Sequence, residues 1–160
     1  MKTVEDIFIE RGEIEDLWKG TTPPLNLWRA LHDGDPRPNV LYPDLEQRVL
    51  PNGKIRDADV ELFTLDGVPH VRAVPRAGTS AMDAPGMFGD KGWQYLVIPA
   101  GTVIPPGLVI SRDHVMHIRG KSCRHYSISP NYSMPVTQYL LLLDQLASNA
   151  KIELRNISHG

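Results

Sequence analysis

The sequence predicts an α+β domain in which strands outnumber helices. Its 14 prolines and 13 glycines favour many turns over long helices. Short apolar runs recur between those turn residues, as strands do. Only 135–150 carries a sustained apolar stripe at spacings of three and four, with Tyr139, Leu140, Leu143, Leu146 and Ala147 in phase.

The elements follow in order. Val4, Ile7, Phe8, Ile14 and Leu17 give a helical segment over 4–18, broken near Gly12. Pro23 and Pro24 stop it, because consecutive prolines cannot continue a helix. Leu25 to Leu31 is a short strand presenting Arg29. From His32 to Pro51 the chain is rich in Asp and Pro, an irregular stretch with a helical turn expected at Asp44 to Val49. Asp66-Gly67 sits between Val60–Leu65 and Val68–Val74, and both turn residues can take positive φ, so a hairpin is expected. Pro69 assigns the second strand to an edge or a start. Ala77 to Lys91 is expected to be a small-residue loop holding Gly78, Thr79, Ser80 and Asp83. Trp93–Pro99 and Gly107–Ser111 are strands joined by a Pro and Gly-Thr corner and expected to pair, and Arg124–Ser129 is another. Pro135 suits the first turn of the last helix, whose stripe should pack on a sheet.

A length of 160 residues with no internal repeat or low-complexity linker fits one domain, 1–160. A net charge of -2 with 22% charged residues gives no reason to expect a nucleic-acid or membrane partner through bulk electrostatics. The single Cys123 cannot form an internal disulfide, which fits a reducing compartment or redox indifference. No apolar leader or membrane-spanning run is evident; Leu140–Leu143 is too short. Export would need a route that reads no cleavable signal peptide.

Four segments in fixed order carry a family resemblance. They are Leu27-Trp28-Arg29-Ala30, Gly78-Thr79-Ser80, the Val-Ile-Pro-Ala-Gly-Thr-Val-Ile-Pro-Pro run at 97–106, and His125-Tyr126-Ser127-Ile128-Ser129-Pro130. In that combination the chain resembles a type VI secretion exported toxin family with an ADP-ribosyltransferase-like fold (type six exported effector two and its homologues). The resemblance implies a split-sheet core with a few helices and NAD as substrate. It also implies toxicity in the cytoplasm of a cell into which the protein is delivered, and a small neutralising immunity protein. By position it makes Arg29, Thr79, Ser80 and His125 the functional candidates.

The chemistry implied is cleavage of the nicotinamide–ribose bond, which makes a cationic, oxocarbenium-like sugar. Arg29 suits the pyrophosphate or a ribose hydroxyl, since a guanidinium forks onto phosphate oxygens. Thr79 and Ser80 would organise the nicotinamide ribose pocket. Tyr95, Tyr126 or Trp93 offers a ring to stack on nicotinamide. His125 would support the sugar or activate the acceptor, because its ordinary pKa lies near physiological pH. A carboxylate facing the ribose normally stabilises such a transition state. Many transferase toxins place a Glu just before an apolar strand ending in Pro-x-Gly-Thr, where this chain has Tyr95 or, one place earlier, Gln94. Neither is a carboxylate. NAD hydrolysis, a nucleic-acid or small-molecule acceptor, or a catalytic group from elsewhere therefore stay open.

Each candidate also has a plain structural explanation. Arg29 would pair with Asp33, Asp35 or Asp83; Thr79 and Ser80 would bond their own turn; His125 would be a half-buried strand histidine; Tyr95 would pack in a strand. His114, His117, Cys123 and His125 match no standard zinc spacing, so no metal is expected. Gly78-Thr79-Ser80 lacks the following Lys of a P-loop, and Asp66-Gly67 lacks the oxygen ligands of a calcium loop. Two other classes compete with an NAD-consuming enzyme: a degenerate module that binds NAD or a nucleotide without turnover, and a toxin acting through protein binding alone. Loss of toxicity in folded Arg29→Ala and Ser80→Ala variants separates the enzyme from the protein-binding toxin. Nicotinamide release separates it from the degenerate module.

Overall fold

The computed structural model describes residues 2–35 and 37–159, with side chains to 151. Helix α1 (Val4–Arg11) opens it, capped by Thr3, whose side chain accepts from the Asp6 N–H while Asp6 accepts from the Thr3 N–H. Gly12, at φ 70°, closes it in the left-handed region, so the helix breaks where the sequence indicates. The strands are β1 (Leu17–Trp18), β2 (Leu27–His32), β3 (Arg48–Val49), β4 (Ile55–Arg56), β5 (Leu62–Leu65), β6 (Val68–Val71), β7 (Thr79–Met82), β8 (Trp93–Ile98), β9 (Leu108–Ile118), β10 (Lys121–Pro130) and β11 (Met134–Pro135). Helix α2 (Val136–His159) ends the described chain. This is the expected mixed class, with antiparallel pairing throughout.

The main sheet runs β1-β9-β10-β7-β2-β8, beside a three-stranded sheet β11-β6-β5 and the β3–β4 hairpin. The main sheet is nearly split in two. β7 pairs with β10 over four registered positions, and β2 with β8 over six. Between the halves only Trp28 and Met82 are in register.

Several expectations are corrected. Thr79–Met82 is a strand inside the sheet, not part of a loop, because β10 pairs with it over its whole length. Asp44–Val49 forms no helical turn; Arg48 and Val49 pair with Arg56 and Ile55 instead. β8 and β9 do not pair with each other, since β9 runs between β1 and β10 while β8 lies on the opposite edge. The corner joining them is held by a bond of its own and by Thr22 from outside. Thr102 donates its hydroxyl to the Pro99 carbonyl (2.7 Å), and its N–H goes to the Thr22 hydroxyl (2.9 Å). Pro69 lies in β6, the middle strand of its sheet, at a position facing only β5, because β11 pairs with His70 and Val71 alone. Asp66 and Gly67 take φ of 50° and 76°, as the hairpin requires.

The core lies between the main sheet and α2, where Leu27, Ala81, Ile98, Tyr126 and Ile128 meet Tyr139, Leu143, Leu146 and Ala147. Tyr139 also anchors the sheet by polar bonds. Its hydroxyl donates to the Ile128 carbonyl (2.7 Å) and accepts from the Thr79 N–H (3.3 Å), and burial pushes its pKa up to about 12. Just before β7 the backbone is closer still. A Cβ on Gly78 would lie 2.1 Å from the Ile128 carbonyl oxygen, so only glycine lets β7 approach β10 here.

Candidate active site

A cavity of about 830 Å³ opens over the split, on the sheet face away from α2. That volume falls within the range of roughly 300–1,000 Å³ typical of small-molecule sites. Strand parity decides what reaches it. Along β7, Thr79 turns into the core, fully buried with its hydroxyl on the Leu41 carbonyl (2.6 Å), while Ser80 and Met82 line the cavity. Along β10, His125 lines the cavity, and Tyr126 points the other way into the core beside Trp18.

Arg29 belongs to the core-facing side of β2, yet it reaches the cavity because β2 and β7 part beside it. Its guanidinium fills the gap between them. Nε donates to the Val40 carbonyl (2.9 Å), Nη1 to Ser80 (3.0 Å) and Nη2 to Tyr42 (3.2 Å). These bonds, rather than an ion pair with Asp33, Asp35 or Asp83, hold the side chain. Asp83 instead accepts the Arg124 N–H (2.8 Å). Burial lowers the Arg29 pKa to about 10, still well above neutrality. The loop supplying Val40 and Tyr42 is fixed to α2, for Asp144 accepts from the Asn39 amide (2.9 Å) and the Tyr42 hydroxyl (3.1 Å).

Arg29, Ser80 and His125 thus share one cavity, whereas Thr79 and Tyr126 lie behind the sheet. Tyr95 is outside the lining. Its hydroxyl donates to the Gly89 carbonyl (2.7 Å) and accepts from the Phe88 N–H (3.1 Å), bracing the loop before β8. The aromatic wall is built by Phe88 stacked on Trp93 (4.7 Å between centroids), with His32 edge-on to Trp93 (5.0 Å). Gln94 is exposed on the edge strand.

Sequence reasoning missed three contributors. Phe88 sits in a turn with no periodicity to mark it. Arg37, Arg48 and Arg56 line the opposite wall, gathered around Asp35 and Asp44. The third is Asp113, 8% exposed in β9, whose carboxylate meets His125 Nδ1 at 2.8 Å. Ser111 donates to Asp113 at 2.9 Å and Ser127 at 2.6 Å, while the Arg76 guanidinium lies 3.7 Å away. The available signal was an acid two residues past Ser111 in a run that stays strand-like beyond it.

Asp35 gives the cavity rim a pH dependence. Arg37 bonds it from Nε (2.9 and 3.1 Å), from its backbone N–H (2.9 Å) and from Nη2, holding the Asp35 pKa at about 2 against an ordinary 3.8. Because the folded value is depressed, this stabilisation is complete above about pH 5 and is lost as pH falls through about 2. Asp35→Asn is therefore expected to cost about 1–2 kcal/mol near neutrality and only a small remnant of that near pH 2, where the folded carboxylate is half titrated. Urea unfolding at both pH values checks this; an equal difference at both excludes it.

Among the described residues no group of three or more His, Cys, Asp or Glu is placed to hold a metal, and no helix is long and apolar enough to cross a membrane. Compared with known families, residues 13–154 match a family model described as Tse2 ADP-ribosyltransferase toxin. No curated protein matches the chain.

Proposed function

Because this chain belongs to the Tse2 ADP-ribosyltransferase toxin family, we propose that its cavity takes NAD and cleaves the nicotinamide–ribose bond. The ADP-ribose would pass to water or to an acceptor in the cytoplasm of a target cell, and a small immunity protein would neutralise the toxin. The observation that carries this reading is the convergence of Arg29, Ser80 and His125, from three strands distant in the sequence, beside an aromatic wall.

In this reading Arg29 and the Arg37–Arg48–Arg56 wall face the pyrophosphate, whose two negative charges suit guanidinium forks. Phe88 and Trp93 offer the flat surface for nicotinamide; of the three rings that sequence reasoning offered for this task, Trp93 lines the cavity while Tyr95 and Tyr126 do not. Ser80 meets the nicotinamide ribose, and Thr79 acts behind it by fixing β7. His125 supports the sugar or activates the acceptor.

The test is nicotinamide release from NAD by purified protein. Ser80→Ala removes one hydroxyl on the cavity side and no hydrogen bond of the core, so it should keep the unfolding midpoint. Release is expected to drop at least about tenfold, the size of one lost polar contact in a transition state. Wild-type protein, folded and supplied with water and candidate acceptors, that neither binds nor cleaves NAD would sink the reading. Tight NAD binding without release would favour a binding module instead, a second reading that rests on the lack of a carboxylate at Gln94 and Tyr95.

A further inference from the structure

We propose that Asp113 is a positioning residue, holding His125 in the one neutral tautomer whose bare Nε2 takes the proton of the attacking hydroxyl. This deepens the NAD reading above and rests on it for the chemical step.

The main sheet carries a defect between β9 and β10. β9 and β10 pair regularly from Leu108–Pro130 to Arg112–Tyr126, and again from Val115–Arg124 to Ile118–Lys121. Between those runs Asp113 and His114 on β9 face His125 alone on β10, which is a β-bulge. In an unbroken strand, neighbours point to opposite faces. The bulge brings both to the same imidazole. Asp113 meets it edge-on at Nδ1 (2.8 Å), and His114 stacks on its face, with centroids 4.9 Å apart and planes 15° from parallel.

The carboxylate decides the tautomer. Carboxylate oxygens only accept, so His125 must supply the proton and carry it on Nδ1. Nε2 is then the nitrogen left for a ligand in the cavity, with its lone pair free. Asp113 cannot swing away, since it is buried and two hydroxyls donate to it, Ser111 from its own strand and Ser127 from the neighbouring β10. Those serines are themselves register partners, so their hydroxyls reach the carboxylate from one sheet face.

The step balances. An oxygen of water or of an acceptor hydroxyl bonds to C1′ of the nicotinamide ribose while the C1′–N bond breaks. The electron pair of that bond goes to the pyridinium nitrogen, and nicotinamide leaves neutral. The proton of the attacking O–H passes to His125 Nε2, and the imidazolium so formed lies against the Asp113 carboxylate. A carboxylate from outside the Gln94–Tyr95 position thus enters the chemistry through histidine.

Two measurements test this. Nitrogen-15 imidazole correlations on wild-type protein should show His125 protonated at Nδ1 and bare at Nε2; the opposite tautomer overturns the proposal without any variant. Asp113→Asn should shift that signature and lower the kcat for nicotinamide release about a hundredfold, the usual contribution of a general base. Its KM for NAD should change by less than about threefold, and Asp113→Glu should recover part of the rate. Folded Asp113→Asn with wild-type kcat overturns the role of Asp113 while leaving NAD cleavage standing. Absence of cleavage by the wild type removes the NAD reading itself, and the base with it.

Discussion

Arg29→Ala is expected to abolish nicotinamide release and to lower stability by about 3 kcal/mol or more. The truncation takes the guanidinium donor from the carbonyls of Val40, Tyr42 and Ser80; Tyr42 keeps Arg37 Nη1 (3.0 Å), while the other two lose theirs in a buried setting, where each orphaned group costs about 1–3 kcal/mol. Two of those carbonyls belong to the loop beside the cavity and one to β7, so the wall and the floor loosen together. Lost toxicity in this variant therefore reports on architecture as much as on ligand contact, unlike the expectation that the variant would simply fold. Arg29→Lys separates the two. A lysine keeps the charge, but its compact ammonium cannot reproduce a planar fork across three acceptors, so most of the stability loss should remain. Urea denaturation, followed by release assays where each variant is folded, reads both effects. An unchanged midpoint for Arg29→Ala would show that the carbonyls find other donors.

Gly78→Ala should be at least as damaging, and for a different reason. The new methyl group would lie 2.1 Å from the Ile128 oxygen, 2.6 Å from its carbonyl carbon and 2.9 Å from the Ser129 Cα, all backbone atoms that no rotamer change can move. Relief requires β7 to retreat from β10, breaking the registered pairs that follow from Thr79. A loss of about 3 kcal/mol or more is expected, at or beyond the upper end of ordinary overpacking. Expression of folded, cooperative Gly78→Ala with an unaltered melting temperature would contradict the close approach. Ser80 and the Arg29 acceptor on it would shift with the strand, so activity should fail together with stability.

What could be read from the sequence was whatever is fixed locally. The α2 stripe was legible because a single face is buried: Tyr139, Leu143 and Leu146 are enclosed while Leu141 is 67% exposed. The Asp66-Gly67 hairpin was legible because its turn chemistry is complete in two residues. β7 was not, since Thr-Ser-Ala-Met has little strand preference of its own, and its conformation comes from β10, 45 or so positions away in the register. The same distance hid half of the site. Arg29, Ser80 and His125 were identified through a family pattern rather than through spacing. Their sorting from Thr79 and Tyr126 needed the face of each strand, which a one-residue change of register would invert. Asp113 needed the bulge, and a bulge is a property of two strands together.

The strand order also sets when the molecule becomes competent during its own synthesis. Arg29 and Ser80 are 51 residues apart, and the strand that seats Ser80 is made well after both. A nascent chain that has reached only β8 holds its arginine and its serine but lacks β10, so β7 has only the single Trp28–Met82 pair and its bonds to Arg29 and Leu41 to fix it. Non-local pairings of this kind close late and slowly, because the intervening chain must lose its freedom before any contact rewards it. The ribosome therefore carries an unfinished cavity until β10 has emerged, and α2, which clamps Thr79 and the Arg29 loop, follows only after that.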